Sequence, residues 1–150
     1  MVGFVARDTR TRGCQGTILS RLLLDTTFLI DAERSNTNLD DAIDDEDDVA
    51  IAAITVAELQ VGVQLSKGKT MHNRQDLLDE IVASVPIVDY DLEVARAHAE
   101  LLVAVRRQGR PRGAHDLIIA ATALSTGRSL VTADQSAFTD LLGIVIITYR

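Results

Sequence analysis

The residues whose types and spacing could do chemistry together are four acids from four separate segments: Asp25, Glu58, Asp116 and Asp134. Asp25 directly follows the apolar run Leu22–Leu24, and Asp134 follows the run 130–132. Glu58 and Asp116 fall in the first turns of two predicted helices. Carboxylates brought close together repel one another unless a cation lies between them or some are protonated. An oxygen-rich cluster of this kind suits Mg²⁺ or Mn²⁺, which bind carboxylates together with water and substrate phosphate.

The elements that must position these acids alternate along the chain. The predicted strands are 22–24, 49–52, 86–88, 129–132 and 145–147, and the main predicted helices are 55–64, 77–82, 91–105, 114–126 and 135–142. Continuous apolar strands that alternate with helices predict an α/β fold with a mostly parallel sheet of about five strands. In open sheets of this class, ligands bind beyond the carboxyl ends of the strands. Asp25 and Asp134 stand at such ends.

Each acid also has a purely structural explanation. Thr55 and Glu58 have the Thr-x-x-Glu spacing of a capping box. Asp116 could only complement a helix dipole, and Asp134 could only be an N-cap. Asp25 is the hardest to explain in this way, because an acid directly after three leucines of a core strand has no evident structural task. The joint placement of the four favours one shared site.

Composition bounds the class of protein. The 150 residues, 47% hydrophobic and 25% charged, are ordinary for a globular chain. We expect one domain over 21–150, after a loose extension at 1–20 that shows no periodicity. Aromatic residues make up only 3%, too few for base-stacking platforms. The single cysteine, Cys14, cannot form an internal disulfide, and no apolar run reaches the roughly 20 residues that span a bilayer. A cytoplasmic protein, away from membranes, is the expectation.

The segments around the four acids resemble the acidic signatures of PIN domains of the VapC type. These segments are Leu-Leu-Asp25-Thr-Thr, Val-Ala-Glu58-Leu-Gln-Val-Gly62, Ala-His-Asp116-Leu-Ile-Ile-Ala-Ala and Val-Thr-Ala-Asp134-Gln-Ser-Ala-Phe138. They occur in the order of the family, and the resemblance covers 22–147. One departure is Ala133, where arginine is common in the family.

The resemblance implies a three-layer α/β/α sandwich that hydrolyses RNA phosphodiester bonds. It implies that the four acids are the catalytic and metal-binding residues, that Mg²⁺ or Mn²⁺ is the cofactor, and that Thr26 and Thr132 support the site. The partners it implies are an RNA substrate, a cognate VapB-type antitoxin that inhibits the ribonuclease, and a second copy in a homodimer.

The net charge of −7 opposes RNA binding, which requires clustered cations. Seven of the 22 acids lie between Asp40 and Asp48, in a run predicted to be a solvated loop or helix end. The basic segment 106–112 leads directly to Asp116, so we expect Arg110, Arg112 and His115 to contact RNA. The alternative for this segment is a solubilising helix end, and for His115 an ordinary surface histidine.

Two other functions stay open on the sequence. One is a catalytically inactive PIN-like domain that acts by binding a partner. The other is a phosphoryl-transfer α/β enzyme that uses Asp25 as acceptor, although the Asp-x-Asp pattern of aspartyl phosphatases is missing because position 27 is Thr27.

Overall fold

The computed structural model describes residues 20–35, 43–44 and 46–148, so the predicted extension lies outside the described residues apart from Ser20. The strands are β1 (Arg21–Leu24), β2 (Asp48–Ala52), β3 (Ile87–Val88), β4 (Ser129–Thr132) and β5 (Ile146–Thr148). The helices are α1 (Thr26–Arg34), α2 (Ala53–Gln64), α3 (Gly68–Ser84), α4 (Leu92–Gln108) and α5 (Ala114–Thr126).

The five strands form one sheet in the order β3-β2-β1-β4-β5, and every neighbouring pair is parallel. The central strand is β1, where Leu23 pairs with Ala50 on one side and Leu130 on the other. The predicted parallel α/β sheet is therefore confirmed. Because all strands run the same way, their carboxyl ends lie at one edge, and Asp25 follows the strand at its centre.

Helices cover both faces of the sheet, which confirms the three-layer sandwich. Alternate residues of β1 point to opposite faces, as the pleat of a strand requires. Leu23 packs in a core with residues of α4 and α5, including Leu101 and Leu117. Leu22 and Leu24 pack in a second core with residues of α1 and α3, among them Phe28, Leu29 and Ile81.

The prediction of a helix over 135–142 is wrong. Only a single 3₁₀ turn forms, over Gln135–Ala137. Asp140 ends any helical continuation because its φ of 67° lies in the left-handed region. Phe138 and Leu141 are buried and hold this segment, here called the Asp134 loop (residues 133–145), against the sheet.

The last residue of the acidic run, Asp48, has a structural role. Asp48 begins β2 and forms ion pairs with Arg128 (3.0 Å) and Arg21 (3.2 Å). The hydrogen bond from Arg128 is the main reason that the pKa of the Asp48 carboxyl is lowered. None of the helices in the described ranges has the length and apolar character needed to cross a membrane.

Candidate active site

Asp25 lies at the junction of β1 and α1 and exposes only 2% of its surface. Its backbone N–H donates to the carbonyl of Val131 (2.8 Å), which ties it to β4. Its Oδ1 accepts from the backbone N–H of Thr26 (2.8 Å), so the carboxylate caps α1. Its Oδ2 accepts from Thr27 Oγ1 (2.6 Å) and from Thr132 Oγ1 (2.7 Å). Asp25 therefore has a structural task, as the N-cap of α1, that the sequence did not reveal.

Burial and hydrogen bonding act on the charge of Asp25 in opposite directions. Burial raises the pKa of the Asp25 carboxyl and outweighs the three hydrogen bonds, which lower it. The neighbouring Glu58 carboxylate raises the pKa further. The two hydroxyl donors occupy both lone pairs of Oδ2, because a carboxylate oxygen has two. One lone pair of Oδ1 remains for a ligand.

Thr26 links Asp25 to Glu58. Its Oγ1 donates to Glu58 Oε1 (2.7 Å) and lies 3.3 Å from the hydroxyl of the buried Thr55. The capping-box explanation of Glu58 is wrong, because β2 runs directly into α2, whose N-cap is Ala52. Thr55 and Glu58 thus lie within α2, and the Glu58 side chain is held toward the carboxyl edge of the sheet.

Asp116 lies in the first turn of α5 and is half-buried. Burial raises the pKa of its carboxyl, and the negative charges of Asp25, Glu58 and Asp134 raise it further. The carboxylate lies tightly against Gly113, since a Cβ built on that glycine would be 2.8 Å from Asp116 Oδ2. The backbone of Gly113 has an ordinary φ of −58°. The residue is therefore small to make room for the carboxylate.

Asp134 follows β4 on the Asp134 loop. Its backbone N–H donates to Thr132 Oγ1 (3.0 Å), the same hydroxyl that donates to Asp25. Its side chain does not cap the 3₁₀ turn, and Oδ1 instead accepts from Ser136 Oγ (2.6 Å). The N-cap explanation of Asp134 is thus wrong, although its carboxylate does have a local partner.

The four acids belong to one electrostatic neighbourhood at the carboxyl edge. Within the described ranges, however, no three acids, histidines or cysteines are already arranged as ligands of one metal ion. Their chemistry still fits Mg²⁺ or Mn²⁺, since they are hard oxygen donors. Burial is the main cause of the raised pKa values of Asp25 and Asp116, and the neighbouring carboxylates raise both further.

Comparisons with known proteins identify the family. A model described as "PIN domain" matches residues 22–141. Ribonuclease VapC2 of Rickettsia felis is 31% identical over 98 residues, which are 65% of this chain and 72% of that protein. Ribonuclease VapC5 of Mycobacterium tuberculosis is 34% identical over 113 residues, which are 75% and 82% of the two chains. The chain belongs to the VapC-type PIN domains.

The fold of this PIN domain is also that of a solved relative. In the crystal structure of VapBC2 from Rickettsia felis bound to a promoter DNA fragment, one chain matches with a TM-score of 0.77 and 25% identity. The match covers 87% of this chain and 99% of that chain. The likeness therefore extends over nearly all of the solved chain.

The basic segment ahead of Asp116 makes contacts of different kinds. Arg110 is exposed and pairs with Asp140 (2.9 Å). Arg112 donates from Nη1 to the carbonyl of Ser136 (3.0 Å) and from Nη2 to that of Thr139 (2.5 Å). His115 is exposed, and its Nδ1 lies 3.4 Å from Glu58 Oε2. Of the three predicted RNA contacts, Arg112 is thus the one bound to the protein's own backbone.

Sequence reasoning missed three residues of the PIN domain's site. Thr27 and Thr55 were not recognised because threonine is common at helix starts, and their partners come from distant segments. Gly113 directly precedes the predicted helix 114–126, and its local sequence assigns it no role in the site. Its spacing of three residues before Asp116 is the signal that could have indicated a close approach.

Proposed function

We propose that this PIN domain is a metal-dependent endoribonuclease and the toxin of a VapBC-type toxin–antitoxin pair. The observation that carries the proposal is the convergence of negative charge on Asp116 from three other acids, at the edge where α/β sheets bind ligands. Two relatives in the same family are named ribonuclease VapC. A homodimer, as the family resemblance implies, is part of the proposal.

In the proposed enzyme, Asp25, Glu58, Asp116 and Asp134 hold Mg²⁺ or Mn²⁺. The ion would lower the pKa of a bound water and neutralise charge on the scissile phosphate. Thr132 and Thr27 fix the orientation of Asp25 through its Oδ2, which directs the remaining acceptor position of Oδ1 toward a ligand. Thr26 holds Glu58 by one oxygen in the same way.

The contacts of Asp25 disfavour the phosphoryl-transfer alternative. A phosphoryl group bonded to Oδ1 would need more room than a metal ion does, and Asp25 exposes only 2% of its surface, while its Oδ2 already accepts two hydrogen bonds. The alternative of an inactive, partner-binding domain requires no particular arrangement of these residues. Only an assay of RNA cleavage can test it.

The direct test incubates the purified chain with RNA in Mg²⁺, Mn²⁺ or EDTA. We expect cleavage with either metal, leaving 5′-phosphate and 3′-hydroxyl ends, and none in EDTA. The antitoxin-like protein encoded by the adjacent gene, when added, should stop the reaction. If the folded chain binds the antitoxin-like protein but cleaves no RNA, the alternative of a catalytically inactive, partner-binding domain is favoured.

The antitoxin would bind in a cavity of about 230 Å³ between α1, α2 and α3. Apolar side chains such as Leu29, Leu59 and Leu77 line the cavity, and Glu58 reaches its wall, so an occupant could extend to the acids. Gly62 also lines it, with no atom near the place of a Cβ. Gly62→Phe should therefore fill the cavity and escape inhibition by the antitoxin while still cleaving RNA. Gly62→Ala is the matched control and should stay inhibited.

Gly113→Ala is expected to lower RNA cleavage by about 10- to 100-fold, the range typical of residues that orient metal ligands. The new methyl group would displace the Asp116 carboxylate, since it would lie 2.8 Å from Oδ2. The backbone at this residue accepts alanine, so the fold should be unchanged. Steady-state cleavage and circular dichroism are the measurements. A variant as active as wild type would show that Asp116 works equally well from another position.

Arg110→Ala is expected to weaken RNA binding and to reduce its salt dependence by up to about one unit of slope. Arg110 is exposed and held by one surface ion pair with Asp140, which a phosphate could replace at little cost. His115→Gln should weaken RNA binding because the glutamine side chain presents its polar groups at different positions from the imidazole ring. Fluorescence anisotropy with labelled RNA in EDTA measures both. If the salt dependence of RNA binding is unchanged in Arg110→Ala, the basic segment is better explained as a solubilising helix end.

A further inference from the structure

Arg112 differs from an ordinary surface arginine in how it is held. Its two Nη groups donate to two backbone carbonyls of the Asp134 loop, those of Ser136 and Thr139, which lie 24 and 27 residues further along the chain. Its Nε is shielded from solvent and has no hydrogen-bond partner in the part of the chain that the structure describes. The side chain is therefore inserted between two segments rather than extended into water.

The two segments that Arg112 joins each carry one of the four acids. Arg112 directly precedes Gly113, which is the N-cap of α5. Asp116 lies in the first turn of that helix. The carbonyls belong to the Asp134 loop, and the Ser136 side chain donates to Asp134 Oδ1 (2.6 Å). Two backbone contacts and one side-chain contact thus connect the start of α5 to the Asp134 carboxylate.

The start of the Asp134 loop is tied to the sheet, because the Ala133 N–H donates to Thr27 Oγ1 (3.2 Å) and the Asp134 N–H donates to Thr132 Oγ1 (3.0 Å). Phe138 and Leu141 hold it on the apolar side, and its only helical element is one 3₁₀ turn among the described residues. Further along the loop, the carbonyls of Ser136 and Thr139 both accept from Arg112, so a single guanidinium holds the part that carries Ser136, the side-chain partner of Asp134. Arg110 adds an exposed ion pair to Asp140.

We propose that Arg112 is a positioning residue: it fastens the Asp134 loop to the start of α5 and thereby sets Asp134 relative to Asp116. This inference rests on the proposed metal-dependent function, and it replaces for Arg112 the role of RNA contact. A planar guanidinium can bridge two carbonyls with a fixed fork of donors, whereas a lysine ammonium acts as a point charge. Lysine should therefore not substitute for this arginine.

The test compares Arg112→Lys and Arg112→Ala with wild type. Arg96→Lys and Arg96→Ala are matched controls, since Arg96 is exposed on α4 and has no hydrogen bond or ion pair within the described ranges. Three quantities are measured on the whole chain: amide hydrogen exchange of 135–140, Mn²⁺ affinity by calorimetry, and the salt slope of RNA binding in EDTA.

Positioning predicts that both Arg112 variants exchange faster at 135–140, by at least about 10-fold, because the loop opens locally. Both should bind Mn²⁺ about 10-fold more weakly, as expected when support of a ligand is lost. The salt slope of Arg112→Lys should equal that of wild type, and the Arg96 variants should change nothing.

Three results would overturn the role of Arg112. Unchanged hydrogen exchange, or faster exchange with unchanged Mn²⁺ affinity, would show that it does not position Asp134. Recovery of wild-type behaviour in Arg112→Lys, with a salt slope lower by about one unit only in Arg112→Ala, would show a phosphate contact. A wild-type chain that binds no Mn²⁺ would contradict the proposed function instead, and hydrogen exchange would still decide whether Arg112 fastens the loop.

Discussion

Replacing Asp25 with asparagine should lower the rate of RNA cleavage by at least about 100-fold, since the loss of a ligand exceeds the loss of a residue that only orients one. The change removes one negative charge and the anionic character of Oδ1, the oxygen with a free acceptor position. The amide oxygen can still accept from the Thr26 N–H, so the cap of α1 is kept. The amide nitrogen takes the place of Oδ2, so it donates to the Thr27 and Thr132 hydroxyls instead of accepting from them. The measurement is single-turnover cleavage of a labelled RNA in Mn²⁺.

The same variant should unfold at a higher temperature than wild type when metal is absent. Burial of the ionised Asp25 carboxyl is costly, as its raised pKa indicates, and asparagine carries no charge. Asp76→Asn is the control, because it makes the same chemical change on an exposed face of α3. Cleavage by a folded Asp25→Asn at the wild-type rate would remove Asp25 from the site.

Mn²⁺ should reverse the pH dependence of stability that the acids impose. Burial raises the pKa values of Asp25 and Asp116 above their ordinary value of 3.8. The folded state then binds these protons more tightly than the unfolded state, so metal-free stability falls as the pH rises from 3.8 through the raised values. Bound Mn²⁺ requires the ionised carboxylates, so its stabilisation grows over the same window.

Thermal unfolding between about pH 4 and pH 7, with and without Mn²⁺, measures this effect. At a free ion concentration about 100 times Kd, Mn²⁺ should stabilise the folded state by about 2.7 kcal/mol, or several degrees of Tm. The double variant Asp25→Asn, Asp116→Asn corrects for all other titrating groups and should show neither the decline nor the rescue. Equal Mn²⁺ stabilisation of wild type and double variant would place the ion elsewhere.

The fold was predictable from the sequence because each strand of a buried parallel sheet is a short continuous apolar run. The apolar runs, of which Leu22–Leu24 is the first, also indicate where each strand ends. They therefore indicate which acids lie at the carboxyl edge of the sheet. Gly127 follows the predicted helix 114–126 and has the left-handed φ of 62° that is common for a glycine at the end of a helix. These features depend on local sequence alone.

The predictions that failed depend on contacts between distant segments. The helix over 135–142 is absent because Arg112, far away in sequence, binds its carbonyls, and because Asp140 adopts a positive φ. Thr55 became part of the site only because β2 continues directly into α2, which brings it to Thr26. Hydroxyl and carbonyl contacts of this kind leave no periodic pattern in a sequence.

The most direct test of the metal-dependent centre follows Mn²⁺ binding and RNA cleavage in the same samples. Electron paramagnetic resonance measures bound Mn²⁺ during a titration, and aliquots of each point are assayed for cleavage. We expect both to rise along one curve in wild type, and both to be lost in Asp25→Asn and in Asp116→Asn. Full cleavage by wild type in EDTA, or Mn²⁺ binding and cleavage unchanged in both variants, would contradict it.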